Sequence, residues 1–459
     1  MPRRKNTHKG KASRHLLERV QHPDAAGIDI GAEELVAAVP HERDEEPVRT
    51  FSTFTGELHA LRDWLLACGI KTVALESTGN YWIATYSILE EAGIEVFLVN
   101  ARHVKAVPGK KTDVCDAQWL QQLHAAGLLA KSFRPAKEIV PLRYLLRHRS
   151  HLIESAGREL QLMQKVCNEM NLHLHHVLSD LDGVSAQRIL GAILQGERDP
   201  EKLASLCDRR VRAPRARVIA ALEGDYREEY LFVLGQCQQR WEQTQATITA
   251  LDEKLAGLLA AFEAPCQGTA PTAPWQQRRL HKNSPNLPIY DEAWRFYGVD
   301  LSSVAGVSAA TLAVCMTELG TGAQIKAAFH SNQAFCSWLA LCPDNRISGG
   351  KVLKAKTRQV KSRVAGALRL AAQALSHSKS ALGEYCRRMK GRLGKAEGIT
   401  ATAHKLARIL YAMITTRRPY DEKVAFAITP AKLQRRLNHL HAQAAKFGFQ
   451  LVPQPQPLT

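Results

Sequence analysis

The sequence predicts a mixed α/β domain followed by a longer, almost wholly helical region. Three observations carry this expectation. Residues 25–130 alternate short apolar runs of strand length with amphipathic runs of helical spacing. Residues 139–262 change to long helical periodicity with little strand signal, and a second helical region resumes beyond a stretch rich in Pro, Thr and Gln at 264–290.

Each element has its own signal. "GIDIG", "ELVAAVP" and "VRTFSTF" (Val48 to Phe54) read as three successive strands. "GELHALRDWLLACG" puts Leu58, Leu61, Leu65 and Leu66 on one helical face, and "KTVALEST" is a short apolar strand ending at Glu76. "YWIATYSILEEAG" is a helix with Gly93 at its C-cap position, "IEVFLVN" the next strand, and "TDVCDAQWLQQLHAAGLL" a helix with Thr112 as its N-cap. Three strands, helix, strand, helix, strand, helix is the element order of the ribonuclease H-like fold. "VPLRYLLRHRSHLIESAGRELQLMQKVCNEMNLHLHHVL" and "YREEYLFVLGQCQQRWEQTQATITALDEKLAGLLAAF" exceed ordinary helix lengths, which suggests antiparallel coiled-coil packing or a dimerisation arm. "GVSAQRILGAILQGERDPEKLASL" is a shorter helical insert between them. "VAGVSAATLAVCMTELG" (Val304 to Gly320) resembles a helix-hairpin-helix, whose second helix presents its N-terminus to a backbone phosphate.

Charge narrows the function. The 459 residues carry a net charge of +18, the signature of a polyanionic partner, most often nucleic acid. Residues Arg346 to Arg418 hold 18 Lys or Arg against Glu384 and Glu397 alone, and the first twenty residues hold seven against Glu18. The block "CRRMKGRLGK" (Cys386 to Lys395) reads in that context as a track for phosphates. Ten cysteines without a CxxC pair argue against a zinc ribbon and against a secreted disulfide framework. The basic start has no apolar segment behind it, and no run approaches a membrane span. A reducing cytoplasm is the expectation, with no membrane partner.

Four acids fall at telling places. Asp29 is on the first strand, Glu76 ends the fourth, and Asp113 and Asp116 open the last helix of the α/β region, three residues apart on one face. In a ribonuclease H-like sheet the first and fourth strands are neighbours and the last helix packs across them. Converging carboxylates repel and raise one another's pKa values unless cations intervene, and hard oxygen donors suit Mg²⁺ or Mn²⁺. Two such ions roughly 4 Å apart clamp a phosphodiester for in-line displacement. Taken singly, each acid is more often a helix cap, a dipole partner or a solvated strand end; the joint pattern favours ligands. An ATPase or sugar-kinase reading of "GIDIG" is disfavoured by Ala32, where those folds carry Ser or Thr, and by the lack of a later Gly-rich phosphate loop.

A second constellation is "LALCPDNRISGGKVLKAKTRQVKSRVAGALRLAAQAL". Ser348 precedes Gly349 and Gly350, which let a phosphate come close; Arg346, Lys351, Lys354, Lys356 and Arg358 are placed to neutralise it. By spacing alone Ser348 is a phosphate hydrogen-bonder, a helix cap or a nucleophile. "HLHH" at His173–His176 has metal-binding spacing, but its sequence neighbourhood lacks acids and cysteines, and a solvated helix face is the expectation there.

"GIDIG", "ALESTGNYW", "KTDVCDA", "GVSAQRILGAIL", "VAGVSAATLAVCMTELG" and "ISGGKVLKAKT" together resemble the DEDD-type transposases of the insertion-sequence one-hundred-ten family, bridge-RNA-guided serine recombinases of bacterial insertion sequences. The resemblance runs from about residue 24 to 425. Behind the basic arm that the charge marks over 1–24, it implies a RuvC-like domain over 25–135 whose Asp29, Glu76, Asp113 and Asp116 bind Mg²⁺. It further implies a helical oligomerisation region over 136–263; the linker or insertion read from composition over 264–290 and the terminal extensions lengthen the chain beyond the family's commoner form. A C-terminal transposase domain over 291–425 would supply Ser348 as the nucleophile joined covalently to DNA, ahead of a tail over 426–459. The implied partners are donor and target double-stranded DNA, a structured bridge RNA, and further copies of the chain in dimers or tetramers, so that the acids of one subunit act with the serine of another near the nucleoid. The alternative on the same fold is a hydrolytic nuclease or Holliday-junction resolvase that uses the acids and water alone.

Overall fold

Strands β1 (Ala25–Ile30), β2 (Glu34–Ala38) and β3 (Val48–Ser52) form an antiparallel meander, and β4 (Thr72–Glu76) and β5 (Glu95–Val99) add in parallel on the other side of β1. The sheet order is β3-β2-β1-β4-β5. The computed structural model describes residues 20–77, 79–100, 113–266, 282–354, 356–426 and 430–452. They divide into two units at Arg134/Pro135. A tight turn suffices for the antiparallel pairs, where Gly31 N–H donates to Glu34 O. The parallel pairs need crossovers, supplied by α1 (Thr55–Ala67) and α2 (Trp82–Glu91).

The alternation of side chains sorts the two sheet faces. Ala26, Ile28, Ile30, Leu35, Ala37, Val73, Leu75, Val96 and Leu98 meet Leu58, Leu61, Leu65 and Leu89 of the crossover helices in one apolar cluster. The opposite face is covered by α3 (Asp113–Ala125). There Val36 and Ala38 pack with Ala117, and Val99 packs with Leu120 and Leu123. This mixed sheet is compatible with a ribonuclease H-like α/β domain.

The second unit opens with α4 (Val140–Glu169), which lies along α8 (Glu228–Ala261). Arg149 bonds Asp252, and Arg240 bonds Glu159 at 3.1 Å, so the two helices run antiparallel. Between them in sequence come α5 (Val184–Leu194), α6 (Pro200–Ser205) and α7 (Arg215–Ala220), which build a core with Met163, Cys167, Leu172 and Leu234. The helical run expected to continue through Leu178 stops at Glu169. Asn171 adopts φ +58°, Asp225 N–H donates to Met170 O and His173 N–H donates to Ala221 O. The neighbouring chain thus takes over the backbone groups the helix would have used. His173 to His176 therefore sit on a turn, Leu174–His176 being 3-10, and not on a helix face.

Most of the stretch expected as linker, 267–281, lies outside the described residues. Its far end is pinned: Asn283 O and Ser284 O accept from Arg149, and Asn286 N–H donates to Asp252. Helices α9 (Ile289–Tyr297), α10 (Ala309–Leu319), α11 (Gly322–Ala328) and α12 (Asn332–Trp338) follow. The segment read as a helix-hairpin-helix follows a 3-10 turn at Leu301–Ser303 and consists of a turn with Gly306 at φ +88° and α10, which is capped by Ser308 and buried along nearly its whole length. A two-stranded hairpin, β6 (Arg346–Ser348) and β7 (Lys351–Lys354), interrupts the helices. Then come α13 (Arg363–Ala374), α14 (Ala381–Leu393), α15 (Lys395–Thr416), α16 (Glu422–Ala425) and α17 (Pro430–Lys446). Within the tail, α17 keeps the chain helical to Lys446. No helix among the described residues is long and apolar enough to cross a membrane.

Candidate functional site

β1 and β4 run parallel with Ile28 beside Leu75, so the next residues of the two strands, Asp29 and Glu76, stand at the same end of the sheet. The face each uses follows from its partners. Asp29 is in register with Val36, and Glu76 with Val99, both of which pack against α3. Asp29 and Glu76 therefore leave the sheet on the face that α3 covers.

Gly27, two residues before Asp29 and on the same face, fixes where the helix crosses. A Cβ built there would lie 2.5 Å from Ala117 O and under 2.5 Å from Gln121 N, so only glycine admits the helix backbone at this distance. Gln121 Nε2 donates to Ala25 O at 3.3 Å, and Ala125 O accepts from Gln21 N–H and His22 N–H. Contacts thus run from 125 beside 21, through 121 beside 25, to 117 beside 27. The helix descends as the strand ascends, and its first turn arrives at the Asp29 end of β1. Asp116, half-buried, is one residue ahead of Ala117 in that turn. Asp113 is the first residue of α3; its side chain and the preceding loop, 101–112, lie outside the described residues.

Asp29 and Glu76 thus share one sheet end and one face, the first turn of α3 brings Asp116 to that end, and all three are half-buried, although the three do not form a close ligand cluster in this structure. Hard oxygen donors on a rigid strand pair and a helix start suit a small divalent cation that keeps part of its water shell. The adjoining turn is ordered by its own groups. Gly79 takes φ +55°, Trp82 Nε1–H donates to Gly79 O at 3.2 Å, and Arg134 stacks on the Tyr86 ring at 3.9 Å and on Trp82 at 5.5 Å.

In the second unit, Ser348 is the last residue of β6 and pairs with Lys351 across a two-residue turn. Gly349 at φ +55° and Gly350 at φ +76° give the turn the left-handed geometry that two-residue hairpins favour. The sequence reading placed no strand here; the Ser-Gly-Gly-Lys signal for one was present in the turn residues. Ser348, Gly349, Gly350 and Lys351 are all exposed at the tip. The arm continues beyond the strands, with Asp344 N–H donating to Lys356 O and Pro343 bridging Thr357. Its base is tied down by Arg358, whose guanidinium donates to Ser337 O and Ser337 Oγ. Lys356 and Arg358 are exposed; the side chains of Arg346 and Lys354 lie outside the described set.

Sequence reasoning marked Cys386 to Lys395 as a phosphate track without finding its other wall. Arg387, Lys390 and Lys395 line a cavity of about 460 Å³ with Gln373, Ser376 and His377. Lys390 Nζ donates to Ser376 Oγ, and Arg387 donates to Ser376 O and Ser378 O, which holds both cations at the rim.

Comparison with known families returns two matches. A DEDD-type transposase model of the IS110 group matches residues 26–171, and the model of the transposase IS116/IS110/IS902 family matches residues 300–387. The first match takes in β1 through α4 and the second takes in the Ser348 hairpin. No curated protein matches the chain. The DEDD type suggests use of a divalent metal. With the carboxylate-bearing sheet end in one matched segment and the basic hairpin in the other, the chain belongs to the IS110 family of transposases, enzymes that act on DNA.

Proposed function

We propose that the chain cuts and exchanges DNA strands by serine attack, with Asp29, Glu76, Asp113 and Asp116 as the carboxylates that hold Mg²⁺ or Mn²⁺. The observation that carries the reading is the common face and common sheet end of Asp29, Glu76 and the first turn of α3. A divalent cation bound there supplies positive charge against the scissile phosphate and lowers the pKa of an attacking hydroxyl.

Ser348 Oγ attacks the phosphorus, forming a serine–phosphate ester as the bond to a deoxyribose oxygen breaks and that oxygen takes up a proton. A hydroxyl of the incoming strand then attacks the same phosphorus, releases Ser348 and restores a phosphodiester, so no high-energy cofactor is consumed. Gly349 and Gly350 keep the tip free of side chains so that a duplex can approach, while Lys351, Lys356 and Arg358 neutralise flanking phosphates. Arg346 and Lys354 belong to the same set by sequence position.

RNA guidance rests on the family resemblance and fits a strongly basic chain that delegates sequence choice to base pairing. The α4–α8 pair is read as the coiled-coil arm that joins copies of the chain. Tyr144, Leu162, Phe232 and Val233 on these two helices are large exposed apolar residues that a second copy would cover.

The test uses purified protein, Mg²⁺, the element's flanking RNA and labelled donor and target DNA on a denaturing gel. A protein–DNA adduct is expected, lost in Ser348→Ala and reduced by at least ~100-fold in Asp116→Asn, a cost in the range of a lost oxyanion-type or metal contact. Cleavage without adduct that survives Ser348→Ala would establish the hydrolytic nuclease instead.

A further inference from the structure

The turn that follows α4 brings together His173, His175 and His176, and one ligand atom from each lies within 4.8 Å of the others. The rings form a tight group, with centroids 4.2 Å apart for His175 and His176, 5.1 Å for His173 and His176, and 6.1 Å for His173 and His175. This cluster is remote in sequence from the carboxylates and takes no part in the proposed strand exchange.

Two of the three rings are held by side-chain amides. His173 Nε2–H donates to Asn171 Oδ1 at 3.0 Å, which leaves Nδ1 with its lone pair, and that nitrogen is buried without a hydrogen-bond partner. Gln164 Nε2–H donates to His175 Nδ1 at 2.8 Å and to Asn168 Oδ1 at 3.1 Å, so a cation takes the His175 Nδ1 lone pair by displacing the Gln164 amide. At His173 an acceptor on the far nitrogen fixes tautomer and orientation, the support that metal-binding imidazoles ordinarily have. Asn171 is itself locked at φ +58°, and His173 N–H is bonded to Ala221 O, so the turn is rigid beneath exposed rings.

We propose that His173, His175 and His176 bind one divalent transition cation, Zn²⁺ by preference, in a three-nitrogen site with a fourth position open. Imidazole nitrogens select Zn²⁺ and its neighbours over Mg²⁺ and Ca²⁺. A tetrahedral Zn²⁺ with Zn–N near 2.0–2.1 Å needs nitrogens about 3.4 Å apart, so the group contracts by at most about 1.4 Å. His175 and His176 are exposed, and they close the gap as His175 gives up its Gln164 bond and His176 rotates off its parallel stack on His173. The cation would cross-link the 173–176 turn and leave one coordination position for water or another ligand.

The test titrates tag-free full-length protein with Zn²⁺ alone against a chromogenic chelator, in the presence of millimolar Mg²⁺. One equivalent per chain with Kd below micromolar is expected, with a rise in Tm on loading. His173→Ala and the double variant His175→Asn/His176→Asn should each lose affinity by at least ~10-fold, while His22→Asn should retain it. If His173→Ala unfolds, the double variant of exposed residues decides. Absence of a stoichiometric site, or a site of unchanged affinity in the double variant, overturns the proposal. No DNA is present, so the result is independent of the strand-exchange reading.

Discussion

At the residue scale, single groups show how local polarity is settled by tertiary partners. His124, near the end of α3, is 1% exposed, and burial first, then the nearby His22, lowers its pKa from 6.5 to about 4. Thr72 Oγ1–H donates to Glu95 O, so the same oxygen accepts from His124 Nε2–H at 2.8 Å. Above pH 6.5 the imidazole is neutral folded or unfolded, and the fold keeps its full stability. As pH falls from 6.5 toward 4 the unfolded chain takes up a proton that the folded chain refuses, so stability declines and levels off below 4, by about 3 kcal/mol in all. His124→Gln should keep the Thr72 bond and flatten this part of the curve. Thermal unfolding of both proteins at pH 7 and pH 4.5 checks it, and equal acid losses would contradict the assignment. Asp29 illustrates the same lesson: its place inside an apolar strand is explained by the face it shares with Glu76 and the start of α3.

At the element scale, two contacts decide whether elements meet. Gly27 lets α3 lie on β1, and the Cβ of Gly27→Ala would run into the backbone of Ala117 and Gln121. A loss of about 3 kcal/mol is expected, at the upper end for overpacking because a helix backbone cannot rotate away. Chemical denaturation followed by circular dichroism measures it, and a loss below about 0.5 kcal/mol would mean that the helix shifts freely. The α4–α8 pair is clamped by Arg149, 5% exposed, whose Nε and Nη2 donate to Asp252 at 2.6 and 3.0 Å. With Asn283 O, Ser284 O and Asn286 N–H the network is well satisfied. Arg149→Met strands the carboxylate and should cost about 3–5 kcal/mol, while Arg149→Met/Asp252→Leu should recover most of it. A double variant as unstable as the single one would show that the pair itself, and not the stranded charge, carries the stability.

At the scale of the whole molecule, charge is segregated by sequence: +16 lies between Arg346 and Arg418. DNA affinity should therefore fall steeply with salt, and Arg387→Ala/Lys390→Ala should reduce the slope of log K against log salt by about 2 with no change in site preference. Fluorescence anisotropy on two unrelated duplexes between 50 and 200 mM salt tests this, and an unchanged slope would remove the 460 Å³ cavity from the DNA path.

The sequence by itself determined the strand and helix order of the first unit, because strand alternation and helical periodicity are local properties. It also determined the two long helices and the concentration of charge. The carboxylates could be named from their positions at strand and helix ends. Only the tertiary structure decided that Asp29 and Glu76 share a face to which the first turn of α3 comes, since that depends on β1–β4 register and on the helix crossing at Gly27. It alone ended α4 at Glu169, where the 221–225 segment takes over backbone hydrogen bonds from far along the chain, and turned "HLHH" from an expected helix face into three converging rings. The Ser348 hairpin lies between these cases: its Gly-Gly turn is written locally, but its short strands carry too little periodicity to stand out among helices.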